Sequence, residues 1–153
     1  MTDYLQYLVA AIQENTRDMT GLECRVKNRK VRLDSSIPSG VAVVIGITGG
    51  KSGVIIVSTD RATAKNLGEK IYFGQPIEDE FVMDVMAEFT NIISGNTITK
   101  INNCESSLNL KIAPPSVAKG DNLRVLSPGV KADIIEIDVV VGQMVAGIGF
   151  EQE

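Results

Sequence analysis

FVMDVMAEFTNIISG, residues 81–95, carries the most regular pattern in the 153-residue sequence. Its apolar residues recur at intervals of three and four, which predicts a helix with one buried face. These apolar positions are 81, 82, 85, 86, 89, 92 and 93. Three acidic residues at 78–80 suit the positive N-terminal end of a helix, and Gly95 suits its C-terminal end. We therefore predict a long helix from about Ile77 to Gly95.

Three polar residues of this helix fall on a different face from the apolar ones. Asp84, Glu88 and Asn91 are spaced i, i+4 and i+7, and at about 100° per residue they lie within roughly 60° of one another. They form one predicted polar stripe that faces solvent. Spacing alone favours an ordinary wet helix face, because acidic and amide residues commonly occupy such positions.

Helices and strands alternate in blocks along the rest of the chain. A first helix is predicted over 4–20 with Gly21 as its stop, and Asp60 can cap a short helix through Leu67. An irregular segment, 72–76, leads into the long helix. Strands are predicted from β-branched or alternating patterns. The predicted strands are 24–33, 41–47, 54–58, 97–101, 108–112, 123–126, 132–141 and 144–150. This order predicts an α+β fold with long helices packed on a mainly antiparallel sheet.

The composition restricts both the class of protein and its chemistry. Hydrophobic residues make up 44% and charged residues 22%, as in a single soluble globular domain spanning 1–153. The sequence has no histidine, which rules out Ser/His and Cys/His catalytic pairs. Cys24 and Cys104 belong to no C-x-x-C pair, so neither a metal nor a redox motif is indicated.

Charge and hydropathy indicate which partners to expect. The net charge is −4, and lysines and arginines are scattered, which argues against nucleic-acid binding. One basic cluster, formed by Lys27, Arg29, Lys30 and Arg32, fits an exposed strand edge. No apolar run approaches the length of a membrane span, and the N-terminus lacks a basic region followed by an apolar block. We therefore expect a cytoplasmic protein that binds no membrane.

A glycine-rich segment with a lysine, 46–52, superficially resembles a phosphate-binding loop. Three residues separate Gly46 from Gly50, where that motif needs four, and a β-branched run follows instead of a helix. A hairpin turn is the better interpretation.

The polar stripe is part of a longer motif, Asp84-x3-Glu88-x2-Asn91-x22-Pro114. It resembles the signature of the CheC/CheX/FliY phosphatases, in which Ser or Asp is followed by Glu, Asn and a downstream Pro. The resemblance extends to the residues NIISGN, 91–96, and to the order of helices and strands. It implies a phosphatase that acts on the aspartyl phosphate of a CheY-type response regulator in chemotaxis or two-component signalling.

The chain carries only one copy of the signature, and in this it resembles the CheX branch. When Gly21 is aligned with Gly95, Ala10, Glu14 and Arg17 take the three stripe positions, and the asparagine is missing. The resemblance then implies a pseudo-symmetric CheX-like α/β sandwich, with halves of about 1–75 and 76–153, and a homodimer.

The resemblance also implies roles for the motif residues. Asn91 would orient the attacking water, and Glu88 would pair with a lysine at the regulator's phosphorylation site. Asp84 would assist docking or orient Glu88, and Pro114 would shape a neighbouring loop. The magnesium ion would belong to the phosphorylated regulator, so this chain is expected to bind neither metal nor cofactor.

Two other functions remain open at this point. The same stripe could serve a non-catalytic module that docks a response regulator or a flagellar switch component. Alternatively, Asp84, Glu88 and Glu105 could hold a metal ion in a carboxylate-based hydrolase.

Overall fold

The computed structural model describes residues 3–30, 37–123 and 130–151. Its helices are α1 (Leu5–Thr20), α2 (Arg61–Ile71) and α3 (Asp79–Cys104), and a 3-10 turn covers Ser106–Leu108. Its strands are β1 (Cys24–Lys30), β2 (Ile37–Thr48), β3 (Gly53–Asp60), β4 (Lys111–Ile112), β5 (Ser116–Leu123), β6 (Val130–Val139) and β7 (Gly142–Glu151).

The strands form one sheet in the order β1-β6-β7-β3-β2-β4, and β5 pairs with β2 beside β4. Every pairing in this sheet is antiparallel. The β-branched strand β3 lies inside the sheet, where six of its eight residues are buried. The structure confirms the predicted α+β fold.

The helices pack on one face of this sheet. Alternate residues of β2, namely Val41, Val43, Ile45 and Ile47, point into a core that also contains residues from all three helices. Helix α1 supplies Leu5, Leu8 and Ile12, α2 supplies Ala64 and Leu67, and α3 supplies Val82, Met86, Phe89, Ile93, Ile98 and Ile101. Among the described residues, no helix is long and apolar enough to span a membrane.

Helix α3 is longer than the sequence pattern predicts. The predicted stop at Gly95 and the predicted strand 97–101 are wrong, because the helix continues to Cys104. Thr97, Ile98 and Ile101 are buried at helical spacing against the same core, and the Thr97 hydroxyl donates to the Ile93 carbonyl at 2.8 Å. Tertiary packing thus overrides the preference of β-branched residues for strands.

The other helix boundaries are closer to the predictions. Helix α1 ends at Gly21, which has φ +74° and donates its N–H to the Arg17 carbonyl at 2.8 Å, as predicted. Asp60 caps α2 by accepting from the Thr63 N–H at 2.8 Å, but this helix runs four residues beyond the predicted Leu67. Helix α3 begins at Asp79, two residues after the predicted start.

The strands after α3 differ most from the predictions. Only Lys111–Ile112 of the predicted 108–112 strand is extended, since Ser106–Leu108 forms a 3-10 turn. Strand β5 was not predicted, because its alternation is weak and Gly120 interrupts it. The predicted strand 123–126 begins where β5 ends, and 124–126 lie outside the described residues.

The glycine-rich segment is a hairpin turn between β2 and β3, as predicted. Gly50 donates its N–H to the Leu108 carbonyl at 2.7 Å. A Cβ at Gly49 would lie 2.6 Å from the Asn109 carbonyl oxygen, so close packing explains this glycine. Lys51 donates to the Tyr4 hydroxyl at 3.0 Å, so the ammonium group of this lysine makes a hydrogen bond inside the protein.

The basic cluster lies on β1, an edge strand, as predicted. Lys27 pairs with Asp138 at 3.3 Å, and Arg29 pairs with Asp3 and Asp133, both at 3.1 Å. Because these pairs are exposed, each stabilises the fold by at most about 1 kcal/mol. Arg32 and the side chain of Lys30 lie outside the described part of the chain.

Candidate functional site

The predicted stripe lies on the central part of α3. Asp84 and Glu88 are exposed, and Asn91 is half-buried. Their neighbours Phe89 and Met86 are fully buried on the opposite side, as the helical spacing predicts. With a rise of 1.5 Å per residue, Asp84 and Asn91 are about 10 Å apart along the helix axis. The helix thus presents a short row of carboxylates and one amide to solvent.

The three stripe side chains have no partners in the described part of the chain: none of them makes a hydrogen bond or an ion pair there. Glu88 therefore keeps its carboxylate oxygens available as acceptors. Asn91 likewise keeps both its amide donor and its carbonyl acceptor. The stripe can contact a partner or water without first breaking internal bonds.

Contacts on both sides hold α3 in place. From α1, Asn15 accepts from the Asn96 amide at 2.9 Å, and Glu14 pairs with Lys100 at 3.0 Å. From α2, Lys65 pairs with Asp79 at 3.0 Å, and this hydrogen bond raises the pKa of Lys65. A site on a supported helix keeps its geometry better than one on a loop.

Helix α1 does not present a second stripe of the same kind. Glu14, which aligns with Glu88, is engaged with Lys100. Gly21 ends α1 in a left-handed conformation, whereas Gly95 is an interior residue of α3. The two glycines are therefore not equivalent helix ends, contrary to the alignment.

Pro114 is exposed in the short connection between β4 and β5. The preceding Ala113 donates its N–H to the Gly46 carbonyl at 2.9 Å, which ties this connection to β2. Ile112 faces α3 at Gly95, one turn beyond Asn91. The structure therefore places the connection beside the half of α3 that follows the stripe.

The geometry does not support a shared metal site for Asp84, Glu88 and Glu105. Glu105 follows the last residue of α3, about 25 Å along the helix axis from Glu88. It also accepts a hydrogen bond from the Tyr4 hydroxyl at 2.9 Å. Within 3–30, 37–123 and 130–151, no three acidic or cysteine side chains cluster closely enough to hold a metal ion.

One feature beside the stripe was not predicted. Phe81, expected in the buried arc, is 40% exposed, and its ring packs on Tyr72 at a centroid distance of 5.6 Å. These two rings and Asp84 help to line a surface depression of about 640 Å³. The sequence held one signal for an exposed aromatic surface here. It was the pair Tyr72-Phe73 next to a glycine, in a chain with only three tyrosines and four phenylalanines.

Comparison with known proteins shows which sequences this chain resembles. Residues 41–138 match the family model described as chemotaxis phosphatase CheX. The chain is 29% identical over 125 residues to the CheY-P phosphatase CheX of Thermotoga maritima. The aligned region covers 80% of this chain and 79% of the relative.

Solved structures show the same fold. A chemotaxis protein CheX from Desulfovibrio desulfuricans superposes with a TM-score of 0.84 at 22% identity, covering 98% of this chain and 100% of that one. The CheX-CheY-BeF3-Mg²⁺ complex from Borrelia burgdorferi gives a TM-score of 0.84 at 25% identity, covering 99% and 100%. The family model, which spans well over half of the sequence, shows that the chain belongs to the CheX family of chemotaxis phosphatases.

Proposed function

We propose that this protein hydrolyses the aspartyl phosphate of a CheY-type response regulator. The observation that carries the proposal is the pair Glu88 and Asn91, neither of which has a partner among the residues that the structure describes, on a well-packed helix of a CheX-family chain. The Thermotoga maritima relative is named a CheY-P phosphatase, and the Borrelia burgdorferi relative was solved with CheY. Both support the same substrate class.

Asn91 is the residue to which we assign the attacking water. Phosphoryl transfer has a loose transition state, so catalysis depends mainly on positioning and on stabilising charge. A neutral amide can both accept from and donate to a water molecule beside the phosphoryl group. Unlike a carboxylate, it adds no negative charge next to the phosphoryl oxygens.

Glu88 is the residue to which we assign recognition. Its carboxylate, one turn before Asn91, would pair with the lysine of the regulator's phosphorylation site. This contact would place Asn91 over the phosphoryl group. Asp84 would assist docking from the next turn, and Pro114 would shape the connection beside α3.

The remaining components of the reaction belong to the partner in this proposal. The regulator would supply the aspartyl phosphate and the Mg²⁺ ion that neutralises the phosphoryl oxygens. This protein would then supply only the amide and the carboxylate. We also propose that it works as a homodimer, and sedimentation should give twice the chain mass of 16.4 kDa.

The test is the decay of a phosphorylated CheY-type regulator with and without this protein. The proposal expects faster decay with the protein present and a rate that saturates as the regulator concentration rises. Binding without acceleration would instead establish the non-catalytic docking module. A regulator with its phosphorylated aspartate replaced serves as the binding control.

A further inference from the structure

Helix α2 ends in a motif that normally requires glycine. Gly74 donates its N–H to the Glu69 carbonyl at 2.7 Å, and Phe73 donates to the Lys70 carbonyl at 3.2 Å. These two bonds define a Schellman motif, whose left-handed residue is usually glycine. Here the left-handed residue is Phe73, with φ +59°. A residue with a Cβ is strained in this conformation.

The Phe73 ring does not offset this strain by packing in the folded chain. Its side chain is 94% exposed, the largest exposed fraction among the large apolar residues that the structure describes. A strained backbone and an exposed aromatic ring at one position point to a role outside the folded chain itself.

The strained residue directly follows Tyr72, whose ring lies next to the helix that carries the signature stripe. Tyr72 packs on Phe81, and Phe81 lies three residues before Asp84 on the same side of α3. Phe81 and Glu88 are about 10 Å apart along the helix axis. A typical protein interface covers about 800 Å² per partner, which is a disc of roughly 16 Å radius. A regulator centred on Glu88 and Asn91 would therefore also cover Phe81 and its neighbours.

We propose that Tyr72, Phe73 and Phe81, the aromatic cluster, form the apolar part of the surface that docks the response regulator. This inference rests on the proposed function. Tyr72 and Phe81 line a depression of about 640 Å³ that Glu78, Glu80 and Asp84 also line, and Phe73 follows Tyr72 in the chain. Aromatic rings beside acidic side chains fit a partner surface that offers an apolar side chain next to a cationic one, as expected around the lysine that Glu88 would engage.

Three variants test the proposal. Phe73→Gly removes the ring and relieves the left-handed strain, Phe73→Tyr keeps a ring, and Val26→Thr changes a half-exposed apolar residue on β1, at the far edge of the sheet. Binding is measured with a CheY-type regulator loaded with beryllofluoride and Mg²⁺. We expect Phe73→Gly to raise the Kd by about tenfold or more, and the other two variants to change it by less than about twofold.

Stability and turnover separate docking from a structural role. Phe73→Gly should melt at the same or a higher temperature than the unchanged protein, because glycine adopts φ +59° without strain. In the decay assay it should raise KM and leave kcat unchanged. A lower melting temperature together with a normal Kd would make Phe73 a structural residue and overturn the proposal.

The remaining outcomes are also distinct. No binding of the loaded regulator by the unchanged protein would defeat the proposed function itself. Normal binding by Phe73→Gly would defeat only the docking role of the cluster. If Phe73→Gly changed the sedimenting mass but not the Kd, the cluster would instead be a contact between two copies of this chain.

Discussion

At the scale of single residues, Glu88 and Asn91 differ in exposure in a way that suits separate roles. Glu88 projects into solvent, where a partner can reach it, whereas Asn91 is half-buried and has fewer orientations available. A carboxylate that makes first contact can be mobile. An amide that orients water benefits from a restricted side chain.

The first prediction concerns Asn91. Asn91→Ala should bind the beryllofluoride-loaded regulator with nearly unchanged affinity but lose catalysis by about 100-fold, because the attacking water loses its orienting group. Asn91→Asp, of the same shape, should lose catalysis and also bind more weakly through repulsion of the phosphoryl charge. Normal turnover by Asn91→Ala would exclude water positioning by this residue.

The second prediction concerns Glu88. Glu88→Ala should weaken binding of the loaded regulator by about 2 kcal/mol or more, because a buried lysine of the partner would lose its counter-charge. Catalysis should fall with it, since Asn91 would no longer be placed. Glu88→Gln, which keeps the shape but not the charge, distinguishes the ion pair from simple packing when titrated beside Glu88→Ala.

At the scale of elements, α3 shows where sequence patterns succeed and fail. The burial of Val82, Met86 and Phe89 and the exposure of Glu88 follow from spacing alone. The far end of the helix could not be predicted locally, because Gly95 and the residues TIT, 97–99, favour other conformations. Only the packing of Ile98 and Ile101 against the core makes that segment helical.

The two glycines that sequence alignment paired should respond in opposite ways to alanine. Gly95→Ala should stabilise the protein by about 0.5–1 kcal/mol, because Gly95 is inside a helix and a Cβ there would lie 4.0 Å from Ile112. Gly21→Ala should destabilise it by about 1 kcal/mol, because Gly21 has φ +74°. Urea titrations of both variants measure the two effects. Destabilisation by Gly95→Ala would contradict a continuous α3.

At the scale of the whole molecule, the polar stripe and part of the core share one helix. The sequence supplied the motif residues Asp84, Glu88, Asn91 and Pro114 through a family resemblance, and it supplied the α+β class through the order of elements. It could not show that Phe81 lies exposed against Tyr72. Phe81 follows the apolar spacing, and its exposure depends on how the segment from Tyr72 returns to α3.

Substitutions in the core and in the stripe should have clearly different effects on the free energy of unfolding. Phe89→Ala should lower the free energy of unfolding by about 3–5 kcal/mol, because Phe89 is fully buried among the three helices and the sheet. Glu88→Ala, its neighbour in sequence, should change it by less than about 0.5 kcal/mol. Thermal melts followed by circular dichroism check both. A large loss with Glu88→Ala would place that carboxylate in the fold.

The anchoring of α3 by both neighbouring helices also determines how its amide protons exchange with solvent deuterium. Its middle turns are packed on the core, whereas the segment 72–78 joins two helices on the surface. Amides around Asn91 should therefore exchange only through global unfolding, and those around Phe73 through small local openings. The polar stripe would then keep its geometry until the whole domain unfolds, while the segment 72–78 beside it would open locally.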